Sequence, residues 1–357
     1  MQDQHSQRLD DGLRYQDQIL PGVSRTFALT IPQLPPGLRE IVTNAYLLCR
    51  IADTVEDEAA LSVEQKQQFH QRFLDVLDGN EDGKRFSADL YPLLSDKTIP
   101  DEKELIHNAD TIVRVTLSAT IRQRAALRRC VATMCHCMPR FQQRSGLGLE
   151  DLREMDHYCY CVAGCVGEML TELFCGHSDE IAKKHDALHR LSASFGQGLQ
   201  MTNILKDTWD DLQHGFCWLP RQVFAEHGYD LHHLAPDTDR DNFVEGLEEL
   251  IGVAHSHLRN ALDYTLMIPA HETGIRRFCL WAIGLAILTL QRIHANPGYT
   301  SGQEIKVSRR TLKQVIVLSN TFARSNTMLR LLFFYAARGL PLTQISDTYF
   351  ESVQEVN

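Results

Sequence analysis

The sequence predicts an all-α fold, and three observations carry that expectation. Apolar residues recur at helical spacing over most of the chain, as in Leu38, Ile41, Ala45, Leu48, Ala52 and Val55, or Leu188, Leu191, Phe195, Leu199, Thr202 and Leu205. Alternating strand-like runs bounded by hairpin dipeptides are almost absent. Helix punctuation agrees: Pro35 and Pro36 open the segment that runs through Asp53, and Gly215 and Pro220 follow the segment that runs through Asp211.

Residues 1–19 read as a polar, acidic N-terminal segment without the apolar stretch of a signal peptide or the Arg-rich, acid-poor character of a presequence. Helices are then expected through 36–57, 155–174 and 188–211. The stretches 78–102, 143–150, 213–241 and 296–304 are polar or carry Gly and Pro, and read as connections. None is long or biased enough to be a flexible linker, so one compact helical domain over 20–340 is expected, followed by a tail over 341–357. The longest apolar run in the C-terminal part, 279–288, is half the ~20 residues that cross a bilayer, and 331–337 is shorter, so no transmembrane anchor is expected. Whether the segment 315–337 packs inside the domain or touches a membrane stays open at this point. The expected location is cytoplasmic.

The 357 residues are 43% hydrophobic and 23% charged, as in an ordinary globular protein, and the net charge of −10 argues against a broad grip on nucleic acid phosphates. An anionic ligand must be held by local basic residues or by metal ions. Ten cysteines are too sparse for a disulfide scaffold, and those at 49, 159, 161, 165 and 279 lie in apolar helical patterns, as small buried hydrophobes do. The cluster Cys130, Cys135, His136 and Cys137 has neither a CxxC pair nor a partnering HxxxH, so it is read as structural and not as a zinc site.

The chemistry concentrates in a repeated acidic pattern. Asp53-Thr54-Val55-Glu56-Asp57 returns as Asp207-Thr208-Trp209-Asp210-Asp211, and in each copy the first and last aspartates lie four apart, on one helix face. A lone pair of this kind is usually a solvated helix end. Here the flanking sequence AYLLCRIADTV is apolar nearly all round except for Tyr46, Arg50 and Asp53, which continue to Asp57 as one polar stripe. Charges in such a setting cost several kcal/mol each unless paired or metal-bound, so the stripe is expected to line a cavity. Gln200, Asn203, Asp207 and Asp211 repeat the arrangement. Two carboxylate-rich helices suit a hard cation: Mg²⁺ takes oxygen ligands and is commonly held by one or two carboxylates plus substrate phosphates. Neither segment has the loop ligands of an EF-hand, and there is no phosphate-binding GxxxxGK[ST] loop or kinase signature. Gly196-Gln197-Gly198 begins like a dinucleotide fingerprint, but Met201 stands at its last glycine and no strand precedes it.

In the helix over 155–174, Tyr160, Ala163, Gly164, Gly167 and Thr171 share a face of mainly small residues, which suits tight helix packing and substrate-channel lining equally. Tyr158 adds a phenol able to exchange a proton or to offer its ring to a cation.

These segments, SRTF at 24–27, YLLCRIADTVEDE at 46–58, YCYCVAGCVGE at 158–168 and QMTNILKDTWDD at 200–211, resemble the squalene/phytoene synthase family in order and spacing, over roughly residues 20–335. The resemblance implies an isoprenoid synthase fold: a helical bundle around a central cavity, in which two facing Asp-rich helices bind diphosphate through Mg²⁺. It implies head-to-head condensation of two allylic prenyl diphosphates, with metal at Asp53, Asp57, Asp207 and Asp211, Asn203 as a further oxygen ligand, and Gln200 on the same face. By similarity Tyr158 is the leading residue for proton transfer or cation contact. Ser24, Arg25, Tyr46 and Arg50 are expected at the diphosphates, and Val162, Ala163, Gly164 and Gly167 along the substrate. Phe27 and Phe278 are either cation-stabilising rings or plain core.

Arg277-Phe278-Cys279 and the apolar helix after them resemble the branch that converts farnesyl diphosphate to squalene through presqualene diphosphate with NADPH. Lys306 and Arg309, next to Arg310, stand where that branch carries basic residues implicated in handling the cofactor, although a solvated helix start explains them as well. The alternatives are a dehydrosqualene or phytoene synthase, which needs no reductant, and a non-catalytic assembly factor of the same fold. A terpene cyclase is disfavoured because the Asn/Asp-Ser/Thr-Glu triad is missing at 203–211. Two departures stand out. Phe216 and Cys217 occupy a position where many relatives carry a basic residue, and the chain lacks the C-terminal membrane helix of eukaryotic squalene synthases. The second departure suggests a bacterial-type enzyme, soluble or peripheral to the membrane that receives its product.

Overall fold

The computed structural model describes residues 2–24, 26–142, 146–235 and 240–345. The expected Arg25 contact and the tail beyond residue 345 therefore lie outside the described residues. Among those described there are helices and one isolated bridge, Leu149 to Pro220, and no strand. The chain groups into two compact units, Met1–Arg144 with Glu168–Lys183, and Ser145–Gly167 with Lys184–Asn357.

The first unit is built on α1 (Gln2–Val23), α2 (Pro36–Asp57), α3 (Val63–Leu77), α4 (Gly83–Leu90), α5 (Pro100–His107), α6 (Ala109–Ser118) and α7 (Ile121–Gln142). The residues read as a polar N-terminal segment belong to α1, which packs on α2, α5 and α6. Ile19, Leu20 and Val23 enter the core, and Gln16 is buried with them, accepting from Asn44 Nδ2 at 2.7 Å. α2 starts at a proline whose missing N–H costs nothing there. It packs on α3 and α7, burying Leu47, Leu48, Ile51, Ala52 and Val55 completely. Ser62 and Gln65 form a reciprocal capping box at the start of α3, and Asp82 caps α4. The stretch 78–102 is thus not one connection. It contains α4 and the start of α5, whose signals are a capping Asp82 and a Pro100 followed by two acids.

In the second unit α8 (Leu152–Cys159) runs through a π-helical turn, Tyr160–Gly164, into α9 (Cys165–His177), whose residues from Glu168 on belong to the first unit, so the helix expected at 155–174 is continuous but widened in its middle. α10 (His185–Gln213) is the central element. It packs on α8, on the π turn, on α12 (Arg240–Met267) and on α13 (Thr273–Ala295), and Gly215, at φ +85°, follows its end. The short α11 (Arg221–Glu226) lies inside the stretch read as a connection. α14 (Arg309–Phe322) and α15 (Asn326–Ala336) complete the unit, capped by Ser308 and Ser325.

Two described helical stretches, Leu152–His177 and Thr273–Ala295, are long and apolar enough to cross a membrane, but more than half of each is buried inside the protein, as core helices are. The ten cysteines form no disulfide among the described residues, and seven of them are buried.

Candidate functional site

The first acidic helix presents its polar stripe as a chain of contacts. The Tyr46 hydroxyl donates to the Val23 carbonyl at 2.9 Å and accepts from Arg50 Nη2 at 3.0 Å, while the guanidinium carbon lies 5.7 Å from the Tyr46 ring centre. Arg50 Nη1 is 3.8 Å from Asp53 Oδ2 and 3.7 Å from Glu102 Oε1. The Phe27 ring sits 5.1 Å from that of Tyr46, and the Phe27 N–H donates to Ser24 Oγ at 3.0 Å. Ser24, Phe27, Tyr46, Arg50 and Asp53 are therefore brought together.

Glu102 was not anticipated. It belongs to α5 and adds a third carboxyl to a group that already holds Asp53 and Asp57. Burial pushes the Asp53 carboxyl up to about 7, because the pull of Arg50 is opposed by Asp57 and Glu102. Asp57 and Glu102 are also raised, burial being the leading cause in both. The other acid of the motif, Glu56, points the opposite way into the core, beside His70 of α3 (Nδ1 at 3.9 Å). Lys66 Nζ donates to the Glu56 carbonyl, and His70 Nε2 lies 3.1 Å from the Ala52 carbonyl oxygen. This inner contact fixes the rotation of α2 and so which aspartates face outward.

The second acidic helix carries Asn203, exposed, with Gln200, Asp207 and Asp211 half-buried. Lys206 Nζ lies 3.1 Å from Asp207 Oδ2 and 3.4 Å from Asn203 Oδ1. Burial raises the Asp207 carboxyl; Lys206 opposes the rise and Asp210 adds to it. The connection after α13 packs on this end of α10. Buried Tyr299 donates its hydroxyl to the Leu205 carbonyl, and a Cβ added to Gly302 would lie 3.1 Å from Asp207 Oδ1 and 3.2 Å from Asp210 Oδ2. A bare backbone thus sits beside both acids. Lys306 and Arg309 follow within seven residues of Gly302, both exposed.

Tyr158 is half-buried, its ring stacked on Trp218. Phe216 adds a third parallel ring at 5.9 Å from Trp218, so one aromatic of the departing segment 212–220 extends the support of the tyrosine. Of the small residues on the neighbouring face, Gly167 serves packing: its added Cβ would stand 2.0 Å from the Ser192 carbonyl oxygen. Gly164 is buried, while Val162 and Ala163 stay half-buried on the π turn, a feature frequent at functional sites. The glycines of Gly196-Gln197-Gly198 are packing residues as well, Gly196 against the Ala163 carbonyl and Gly198 against His257 and Leu258. Phe278 is 2% exposed, within the core of α13.

Sequence reasoning also missed a buried polar network beneath Tyr158. Asp156 Oδ1 accepts from Gln197 Nε2 at 2.8 Å and lies 3.3 Å from His257 Nε2; His257 Nδ1 lies 3.1 Å from Ser194 Oγ, which accepts from Asn260 Nδ2 at 3.2 Å. It ties α8, α10 and α12 together just before the π turn. Its members are spread over 156–260 in apolar helices, and no local pattern marks them.

The donor sets fit the groups that the sequence implied. Asp53, Asp57 and Glu102 surround one guanidinium, and carboxyls raised by burial and mutual repulsion gain most from a divalent cation. Asp207, Asp210, Asp211 and Asn203 offer a second all-oxygen set. Lys306 and Arg309 offer cations suited to phosphate.

Comparison with known proteins points one way. The family model for squalene/phytoene synthase matches residues 20–311. A squalene synthase from Gibberella zeae is 26% identical over 311 residues, covering 84% of this chain and 64% of the relative, so the chain spans about two thirds of that protein's length. One from Solanum lycopersicum is 30% identical over 313 residues, covering 85% and 70%. Among solved structures, TcSQS with the ligand BPH1237 superposes with a TM-score of 0.74 at 22% identity over 96% of both chains. A dehydrosqualene synthase in complex with ligand gives 0.64 at 19% identity, over 90% of this chain and 99% of that one.

Proposed function

The chain belongs to the squalene/phytoene synthase family, and from that premise we propose that it is a Mg²⁺-dependent farnesyl-diphosphate farnesyltransferase. In this reading it joins two farnesyl diphosphates head to head into presqualene diphosphate and reduces that intermediate to squalene with NADPH. The observation that carries the proposal is the pair of acidic helices, each with more carboxyl groups than neighbouring cations, with Asp53 and Asp57 raised by burial on one and Asp207 on the other.

Asp53 and Asp57, with Glu102 beside them, would hold Mg²⁺ on α2, and Asp207, Asp211 and Asn203 would hold it on α10. When bound, Mg²⁺ supplies Lewis-acid neutralisation of diphosphate oxygens. Arg50, steadied by Tyr46 and Glu102, presents a planar guanidinium to a diphosphate oxygen, and Ser24 sits at the start of the same chain of contacts. The ring of Phe27, tilted against Tyr46, offers a π-face to positive charge that develops as the diphosphate leaves. Tyr158, its ring plane set by Trp218, would take the proton whose loss closes the cyclopropane. Val162 and Ala163 line the prenyl chain. Lys306 and Arg309 would hold the phosphates of NADPH, the reductant that supplies hydride.

The test is product analysis by gas chromatography and mass spectrometry after incubation with farnesyl diphosphate and Mg²⁺, with and without NADPH. Squalene formed only with NADPH is the expected result. An unchanged dehydrosqualene product in both would replace this reading with the reductant-free branch, and farnesyl diphosphate recovered intact, with geranylgeranyl diphosphate also intact in a parallel incubation, would replace it with a non-catalytic role.

A further inference from the structure

The chain carries a net charge of −10, yet residues 305–345 contain seven Lys and Arg and no Asp or Glu. This stretch also holds the largest exposed apolar side chains of the C-terminal helices: Phe334 is 65% exposed, Tyr335 61% and Val317 60%. On α15 the exposed positions Thr327, Arg330, Leu331, Phe334 and Tyr335 follow at alternating steps of three and one, a single stripe along the helix, and exposed Arg338 stands just past its end.

The opposite face of α15 packs through Leu329, the buried residue of the helix. Leu329 sits in a small core with Leu262, Leu266 and Leu280, against which Phe322 and Phe333 also pack. Buried Arg276 fixes the turn between α14 and α15, donating to the Ala323 carbonyl at 2.7 Å and to Asn326 Oδ1 at 2.6 Å. The exposed rings are thus presented by a firmly held helix.

Beside the stripe, α12 and α15 border a cleft of about 510 Å³ whose lining includes Arg259, Arg330 and Arg338 together with Leu262, Phe333 and Phe334. Asp263 pairs with Arg330 at 2.6 Å, and among the described residues no carboxylate pairs with Arg259 or Arg338, nor with Lys313 or Arg324 nearby in sequence.

We propose that this face docks on a bilayer surface containing anionic phospholipid. Exposed Phe334, Tyr335 and Leu331 reach the boundary between headgroups and acyl chains, and the arginines meet lipid phosphates, with the cleft taking one headgroup. Two requirements are met by the same few residues: apolar rings that water does not favour, and a surplus of cations, of which Arg330 alone pairs with a carboxylate among the described residues, on an otherwise acidic protein. A soluble phosphate would satisfy only the second. The inference rests on the surface alone and not on the proposed reaction.

The experiment is co-sedimentation of the full chain with vesicles of phosphatidylcholine, and with vesicles of phosphatidylcholine mixed with phosphatidylglycerol, at low and high salt. Binding to the mixed vesicles at low salt is expected, weakened about tenfold or more on neutral vesicles and in high salt. Phe334→Glu with Tyr335→Glu should abolish it, and each of Arg338→Glu and Lys313→Glu should weaken it about fivefold or more. Circular dichroism checks that each variant is folded, and the salt and lipid dependence of the parent chain stands if one is not. Equal binding to both vesicle types, or none, overturns the proposal. So does light scattering that shows self-association broken by the double variant without any vesicle binding, which would assign the face to a second copy, and so does inorganic phosphate competing fully with vesicles.

Discussion

The rings of Tyr158 and Trp218 lie 4.1 Å apart and 7° from parallel. Tyr158 belongs to α8 and Trp218 to the segment after α10, so the aromatic plane of one element is set by another. Removing that plane frees the phenol to rotate, and a misplacement of about 1 Å costs on the order of 10²-fold in rate. Trp218→Ala is expected to lower kcat/KM for farnesyl diphosphate by that order while the protein stays folded, with Trp218→Phe recovering most of it. Steady-state turnover measures both; an alanine variant as fast as the parent would show that the stack does not position Tyr158.

In the proposed function Asp53 and Asp207 carry opposite demands from folding and from metal binding. Burial and neighbouring carboxyls raise Asp53, and burial raises Asp207, so a neutral amide at either position removes a charge that the apo protein stabilises poorly. Asp53→Asn and Asp207→Asn should therefore keep or slightly raise the melting temperature in chelator while abolishing turnover. Calorimetry and product assay together read this, and full activity in either variant sinks the two-motif account.

The acidic stripes were legible because a helix writes its faces at steps of three and four, and Tyr46, Arg50, Asp53 and Asp57 follow those steps along a part of α2 that is otherwise mostly apolar. Glu102 was not legible, since the Pro100-Asp101-Glu102 helix start lay inside a polar stretch that composition marks as a connection. Lys66 and His70 were hidden for the opposite reason: they look like ordinary polar positions of α3, and only the packing of α3 on α2 turns them toward Glu56. The π turn leaves no trace in composition. Trp218 reaches Tyr158 from a segment without periodicity, so no spacing rule could have joined them.

His257 joins Asp156 to Ser194 inside the second unit, and all three are buried. Truncating it leaves a carboxylate and a hydroxyl each short of a partner in a dry interior, at a cost of about 2–4 kcal/mol. His257→Ala should lower the urea midpoint correspondingly at constant m value. Gln197 still donates to Asp156, so Gln197→Leu should cost further stability on top of His257→Ala, and not independently of it. A midpoint unchanged in His257→Ala would mean that the network is not a structural tie.

His227, just after α11, lies 2.9 Å from Glu249 and 3.3 Å from Glu245, both on α12. The Glu249 hydrogen bond first, and Glu245 with it, raise its folded pKa above the ordinary 6.5. The raised group stabilises the folded state fully below pH 6.5, and that contribution is lost as pH rises through the folded value. Denaturation followed from pH 6 to pH 8 should therefore show a small fall in stability, within the range of exposed pairs, that His227→Gln removes. An identical slope in the variant would assign the fall to other groups.

Gly196 crosses the π turn at a distance that no side chain tolerates. A Cβ there would stand 1.9 Å from the Ala163 carbonyl oxygen and 2.8 Å from the Gly164 nitrogen, both backbone atoms that cannot swing aside. Gly196→Ala must push α10 away from the turn, at a cost of about 1–3 kcal/mol or more. Gly37 is the control: it lies in the first turn of α2 with nothing within 4 Å of its added Cβ, so Gly37→Ala should be neutral or stabilising by up to about 1 kcal/mol. The displacement at residue 196 acts on the backbone that carries Val162 and Ala163, so activity should fall more steeply than stability accounts for. Thermal melts of both variants, with turnover measured well below each melting temperature, separate the two effects. Gly196→Ala with the parent's melt and rate would mean that the close crossing is not required for either.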